Sequence, residues 1–480
     1  MKKYLALILA VLTLVAALSG CGGAKSKEFN EEKIVFQFGA VSDTQHGMRW
    51  IPIDTYGRSV YAFEQLQELA LQYSDKGLDA VLFSGDLVND SKTAQLQGFA
   101  QIYEEVFDPA EVPLIFCLGN HDVKHNPNSN REELHLEDYY IVFGQKYRGY
   151  DKETSRIDIG CVHQVVGDYH FLTLGPMDSG WENNEDGSAN YDPAAVEWLD
   201  ETLAAITKEN PNRYVFLSTH PLIYDTAYGS DVIYGTMSWF TKDLTAVLEK
   251  YPQVVTFGGH LHFSINDERS IMQTSFTSLQ CGAVSYMATD PGNYRHMLNG
   301  TVMKDCAKVS TGYLVQIDNN DNVRFLRVDF FREGLIKDPW VISAPQADGS
   351  HLLSYTKDRG SAENNPAPAF PANPIAVEDD SANRAVDEAL KPALVFQSAT
   401  DDDQVYKYTV EVTENGQTIE SINLLADFYL HTSPAEMRKE WRINLERDTY
   451  YKGHTYVITI TAADSWGAVS EAASFTYQPQ

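Results

Sequence analysis

Five apolar runs in this chain end in the same kind of residue, and that repetition limits its folds more than any bulk property. The run IVFQFGAV (Ile34–Val41) passes into Ser42, Asp43, Thr44, Gln45 and His46. AVLFSGD stops at Gly85-Asp86, and PLIFCLGNHD at Gly119-Asn120-His121-Asp122. YVFLSTHP reaches His220, and VVTFGGHLHF reaches Gly259-His260-Leu261-His262. Each run has the length and the branched or aromatic content of a buried strand. A turn needs only Gly, Asp or Ser, so imidazoles and carboxylates at five strand ends call for another reason. Between the runs lie segments of helical period: Tyr61 to Tyr73, a stretch around Ala94 to Phe107, and 194–206 behind an Asp192-Pro193 start. Alternating strands and helices predict an α/β domain, whose ligands gather beyond the carboxyl ends of the strands. The five ends then bring Asp, Asn and His side chains together. Gly85, Gly119 and Gly259 let the backbone turn sharply as it leaves the sheet.

Oxygen and imidazole donors without thiolate suit Mn, Fe or Zn. The set exceeds what one tetrahedral ion needs, so two ions sharing a carboxylate is the natural count. Such pairs sit about 3.5–4 Å apart and serve phosphoryl displacement. In order and spacing, Asp43, Gly85-Asp86, Gly119-Asn120-His121-Asp122, His220 and Gly259-His260-Leu261-His262 resemble the calcineurin-like metallophosphoesterases. That family's pattern is D-x-H, GD, GNH[DE], H and GHxH. The string GNHD weighs most, since a given tetrapeptide arises by chance in a chain of this length with probability on the order of 0.003. The resemblance covers roughly residues 34–331.

What the resemblance implies is a four-layer α/β/β/α sandwich and a metal-dependent phosphoester hydrolase. One ion would be held by Asp43, Asp86 and His262, and the other by Asp86, Asn120, His220 and His260. Asp86 would bridge them, and a hydroxide between the ions would attack a phosphomonoester or phosphodiester in line. His121 would be the catalytic acid or a donor to the phosphoryl group, with Asp122 orienting it. The departure is Gln45, which stands where the family places His. Residues two apart in an extended segment face the same way, so Gln45 would offer an amide oxygen while His46 points elsewhere. A distorted turn would instead bring His46 in. An amide ligand predicts a weaker first site that prefers a harder metal than zinc. Arg49, in the loop that follows, is a candidate substrate clamp beside Trp50, Tyr56 and Arg58; a solvent-facing loop is the plain alternative.

At 480 residues, two domains are expected. The Pro-, Ala- and Asn-rich stretch within 341–374 reads as a linker, and 375–480 alternates in period two. The expected order is a lipoprotein signal peptide (1–21), a tether (22–33), a catalytic domain (34–340), the linker, and an all-β, immunoglobulin- or fibronectin-like sandwich. Lys2 and Lys3, a short apolar run and Leu18-Ser19-Gly20-Cys21 resemble a bacterial lipoprotein box. This predicts an extracytoplasmic protein anchored to the cell membrane by lipid on Cys21, with plain secretion as the alternative. Cys117, Cys161, Cys281 and Cys306 show no CxxC spacing, which argues against a thiolate zinc site. A formal charge of −30 argues against nucleic acid as a partner. The reading from another class is a weakly active or inactive surface lipoprotein whose sandwich contacts wall polymer or a partner. A spacer is that domain's plainest role.

Overall fold

The structure is a computed structural model that describes residues 29–123, 136–144, 150–175, 182–234, 237–238, 240–385, 388–445 and 450–480. The signal segment and Cys21 therefore lie outside the described residues. So does His125, along with parts of the loops 178–191 and 224–239.

In chain order the first unit contains β1 (Ile34–Val41), α1 (Thr55–Leu71), β2 (Ala80–Ser84), α2 (Thr93–Val106), β3 (Leu114–Cys117) and α3 (Leu136–Gly144). Next come β4 (Cys161–Val166), β5 (Tyr169–Leu174), α4 (Pro193–Glu209), β6 (Val215–Thr219), α5 (Thr245–Leu248), β7 (Val254–Gly258), β8 (Ile271–Gln273) and β9 (Thr277–Gln280). The unit closes with β10 (Thr311–Asp318), β11 (Val323–Asp329), β12 (Gly334–Leu335) and β13 (Trp340–Ile342). Helix starts follow their capping residues: the Asp54 carboxylate accepts from the Tyr56 and Gly57 amides, and Asp192 accepts from Ala194 ahead of Pro193.

The strands divide into two mixed sheets. One has the order β12-β11-β10-β1-β2-β3, with β13 also paired to β11; the other has the order β8-β9-β7-β6-β5-β4. Phe36, Phe38, Leu82 and Ile115 of the first sheet form one apolar core with Phe171, Phe216, Val255 and Phe257 of the second. The outer face of the first sheet packs on α1, α2 and α3 through Phe63, Leu66, Phe99, Ile102 and Phe143. That of the second packs on α4 and α5 through Leu199, Leu203, Leu217 and Leu248. The result is the α/β/β/α order of layers. Strands fully buried on both faces read as continuous apolar runs, which is why they stand out in the sequence.

Residues 281–310 contain no named strand. They form an irregular strap with one short 3-10 turn, Cys306–Lys308. The C-terminal unit contains β14 (Ile375–Glu378), β15 (Ala393–Gln397), β16 (Val405–Glu414), β17 (Gln417–Leu425), β18 (Glu440–Asn444), β19 (Tyr456–Asp464) and β20 (Ala473–Tyr477). These make two antiparallel sheets, β14-β15-β18 and β17-β16-β19-β20, around Phe396, Tyr408, Val410, Trp441 and Ile458. The compositional linker is fastened at both ends. Arg359 donates to the carbonyls of Glu268 and Ile271, and its guanidinium lies over Tyr355 and Trp466; Asn365 donates to Asp464.

Candidate metal centre

Three of the five clusters leave the first sheet, from β1, β2 and β3, and two leave the second, from β6 and β7. They meet where the two sheets face each other. Two groups of side chains there each bring one donor atom within 4.8 Å of the others: Asp86, His220 and His260, and Asp43, Asp86 and His262. Asp86 belongs to both.

The backbone is bent to achieve this. Thirteen described non-glycine residues have positive φ, and five of them are candidate ligands: Asp43 (54°), Gln45 (41°), Asp86 (56°), His260 (72°) and His262 (56°). Each left-handed residue costs about 1–2 kcal/mol, so the surrounding contacts hold these conformations in place. The amides of Asp43, Gln45 and His46 donate to the carbonyls of Gly85, Asp86 and Leu87, which lays the first cluster along the second. Of the three cluster glycines only Gly85 has positive φ (89°). Gly119 and Gly259 are needed for space. A Cβ on Gly119 would lie 2.1 Å from Asp86 Oδ1, and one on Gly259 would lie 2.0 Å from Ser42 Oγ.

The protons on the rings show what the centre is built to take. His220 Nδ1 donates to the Ser84 carbonyl (2.8 Å), and His262 Nδ1 donates to the Tyr286 carbonyl (3.0 Å). Each ring therefore turns its Nε2 inward. His262 Nε2 faces Asp43 Oδ1 at 3.0 Å; His220 Nε2 faces Asn120 Oδ1 at 3.1 Å, His260 Nδ1 at 3.2 Å and Asp86 Oδ2 at 3.4 Å. Asp43 Oδ1 and Gln45 Oε1 are buried without a hydrogen-bond partner. Buried carboxylate, amide and ring atoms that converge in this way fit cations, which would replace the proton His220 holds beside Asp86. In this geometry burial opposes charge on Asp86, but His220 and His121 hold its carboxyl well below the usual range. Burial alone would discharge His220, yet the adjacent Asp86 pushes it up to about 9. Burial, followed by the charge of His220, pulls His260 down to about 3.

Gln45 is buried, and its Nε2 lies 3.4 Å from Asp86 Oδ2. His46 turns the other way, with its ring edge-on to Tyr56 at 6.0 Å and its Nε2 against Gly98. His121 lies beside the Asp86 carboxylate: its amide donates to Asp86 Oδ1 (2.8 Å) and its Nδ1 to the Asn89 carbonyl (2.7 Å). The expected role of Asp122 needs correction. Asp122 does not orient His121; its two oxygens accept from the amides of Val88 (2.9 Å) and Gly119 (2.8 Å) and so lock the two ligand loops together. A residue one step along a tight turn faces away from its neighbour, so adjacency in sequence misled the assignment. Arg58 is also structural and donates to the carbonyls of Ser285, Ala307 and Val309. Arg49 and Trp50 are exposed, and Trp50 lies edge-on to Tyr286 at 5.0 Å.

Tyr286 escaped the sequence reading altogether. Its ring packs on His262 at 4.1 Å and its carbonyl fixes the tautomer of that ring. No local signal marks it, because it comes from the irregular strap. Ser42, whose Oγ donates to Asp43 Oδ2 at 2.5 Å, was at least visible as a ligand's neighbour.

The family model of the calcineurin-like phosphoesterases matches residues 36–264, which hold all five clusters. Residues 36–264 form a calcineurin-like phosphoesterase domain. This domain holds the carboxylate and imidazole groups that could take metal ions. Among solved structures, a purple acid phosphatase from yellow lupin seeds is 14% identical with a TM-score of 0.43, over 69% of this chain and 57% of that one. A putative 5'-nucleotidase from Staphylococcus aureus is 12% identical (TM-score 0.35, 92% and 89%). A 5'-nucleotidase precursor from Thermus thermophilus is 13% identical (TM-score 0.33, 79% and 76%). The chain thus spans little more than half the length of the lupin enzyme. No curated protein matches it.

Proposed function

We propose that this protein hydrolyses phosphomonoesters or phosphodiesters at a centre of two metal ions that share Asp86. The observation that carries this reading is the pair of donor groups meeting at that one carboxylate. Asp43, Gln45 and His262 would complete one site, and Asn120, His220 and His260 the other. When bound, the ions supply polarised phosphoryl oxygens and a water activated for attack.

The remaining work falls to the chain's own residues. Ser84 and Tyr286 present carbonyls that keep two ligand imidazoles in the Nδ1–H form. His121 gives its Nδ1 proton to Asn89, so its Nε2 can donate only from the imidazolium. That form supplies a positive charge and a proton to the leaving oxygen or to the phosphoryl group. Asp122 holds the Gly85–Val88 and Gly119–His121 loops in register. The amide of Gln45 adds no charge to its site, which supports manganese or iron over zinc there.

The same reading places the protein outside the cytoplasmic membrane, attached through lipid on Cys21, on the strength of the LSGC sequence. Small phosphoesters suit a chain of net charge −30 better than nucleic acid does. The test is turnover of a panel of aryl phosphates, cyclic nucleotides and wall-derived phosphodiesters with Mn²⁺. Loss of turnover on chelation, with recovery on adding Mn²⁺, is the expected result. Turnover that persists in chelator would remove the metal reading.

A further inference from the structure

The strap 281–310 has two faces, and they touch different things. Its inner face is sewn to one half of the metal centre. The amides of Val284 and Ser285 donate to the carbonyls of Ser42 and Asp43, and that of Ala288 donates to the carbonyl of His262. Between them, Tyr286 holds the His262 ring by its carbonyl and by its own ring.

Its outer face belongs to the C-terminal sandwich. Met287, Tyr294, Met303 and Val309 are members of the same apolar cluster as Phe396, Tyr408 and Trp441. Thr289 Oγ1 lies 3.0 Å from the Tyr406 hydroxyl, the Arg295 amide donates to the Asn423 carbonyl, and the Tyr429 hydroxyl donates to Asp305. The Asp290 carboxylate accepts from the hydroxyls of Tyr228 and Tyr406. Arg269 lies over both tyrosine rings, at 4.0 and 5.3 Å, and Tyr228 packs on Phe263, the residue after His262.

We propose that the C-terminal sandwich braces the metal centre, with Tyr406 as a positioning residue for the Asp43–Asp86–His262 donor group. This rests on the two-ion reading. A ligand imidazole depends on the partner of its other nitrogen, and loss of such a partner costs roughly 10–100-fold in metal affinity. Tyr286 is that partner for His262, and the residue that follows it, Met287, is packed into the apolar cluster of the sandwich. His220, by contrast, takes its partner carbonyl from Ser84 at the end of β2, inside the catalytic unit. The brace therefore acts on one donor group and spares the other.

The test is Mn²⁺ titration of the full-length, metal-free chain, read by electron paramagnetic resonance of the free ion. Wild type is expected to take up two ions. Tyr406→Phe, with Asp290→Asn as the second variant, should weaken one of them roughly tenfold and leave the other unchanged. Ile458→Ala, a cut in the sandwich core between Val412 and Phe475, should lower the melting temperature while both affinities stay at the wild-type values. Two ions bound as tightly in Tyr406→Phe and Asp290→Asn as in wild type would overturn the inference. If wild type bound a single ion, the two-ion reading would fail, and weakening of that ion in Tyr406→Phe would still decide for or against the brace.

Discussion

At the scale of the residue, the centre is defined by where its donor atoms point. His262 and His220 each donate one ring proton to a backbone carbonyl and aim the other nitrogen at oxygen or nitrogen acceptors. Gln45→Ala is expected to lose one ion and His46→Ala to keep both, as counted by metal analysis after dialysis; the reverse would exchange their roles. His121→Ala should lower kcat by about 10²–10⁴-fold with metal content unchanged, the usual range for a positioned acid. The charge pair within the metal-free centre sets a pH dependence whose sign can be worked out. His220 titrates near 9 in the folded, metal-free chain, above the ordinary value of 6.5. Its contribution, on the order of 3 kcal/mol, is complete below about 6.5 and is lost as pH rises through about 9. Thermal melts of the metal-free protein should therefore fall between pH 6.5 and 9. A flat profile across that window would show that His220 does not pair with Asp86.

At the scale of the element, the ligand-bearing strands could be read from sequence because burial on both faces makes them continuous apolar runs. Helices α1, α2 and α4 were plain in their period, and α4 also in its Asp192-Pro193 start, while α1 begins at Thr55, ahead of the Tyr61 that its period suggests. The division of the strands between two sheets was not, because pairing between distant strands leaves no local trace. Nor was the difference among the three glycines: Gly85 serves conformation, while Gly119 and Gly259 serve space. Gly119→Ala should place a methyl against Asp86, and loss of bound metal with a still-folded chain by circular dichroism is the expected result. Full metal retention would mean that the loop yields. Asp122 carries a related lesson, since its backbone partners 34 and 3 residues away are visible only once the loops have folded together.

At the scale of the whole molecule, the two-domain plan was legible from composition and the contact between the domains was not. The strap that joins them carries neither period, and its outer face becomes apolar core only when Tyr406, Phe428 and their neighbours arrive from more than a hundred residues away. For the anchor, Cys21→Ser should move the protein from the detergent phase to the aqueous phase on extraction of cells, and an unchanged partition would remove the lipid. The most direct test of the centre itself is anomalous diffraction from crystals grown with Mn²⁺. Two peaks about 3.5–4 Å apart, with the Asp86 carboxylate between them, are predicted. A lone peak away from Asp86, or none within reach of His220 and His262, would contradict the shared-carboxylate centre.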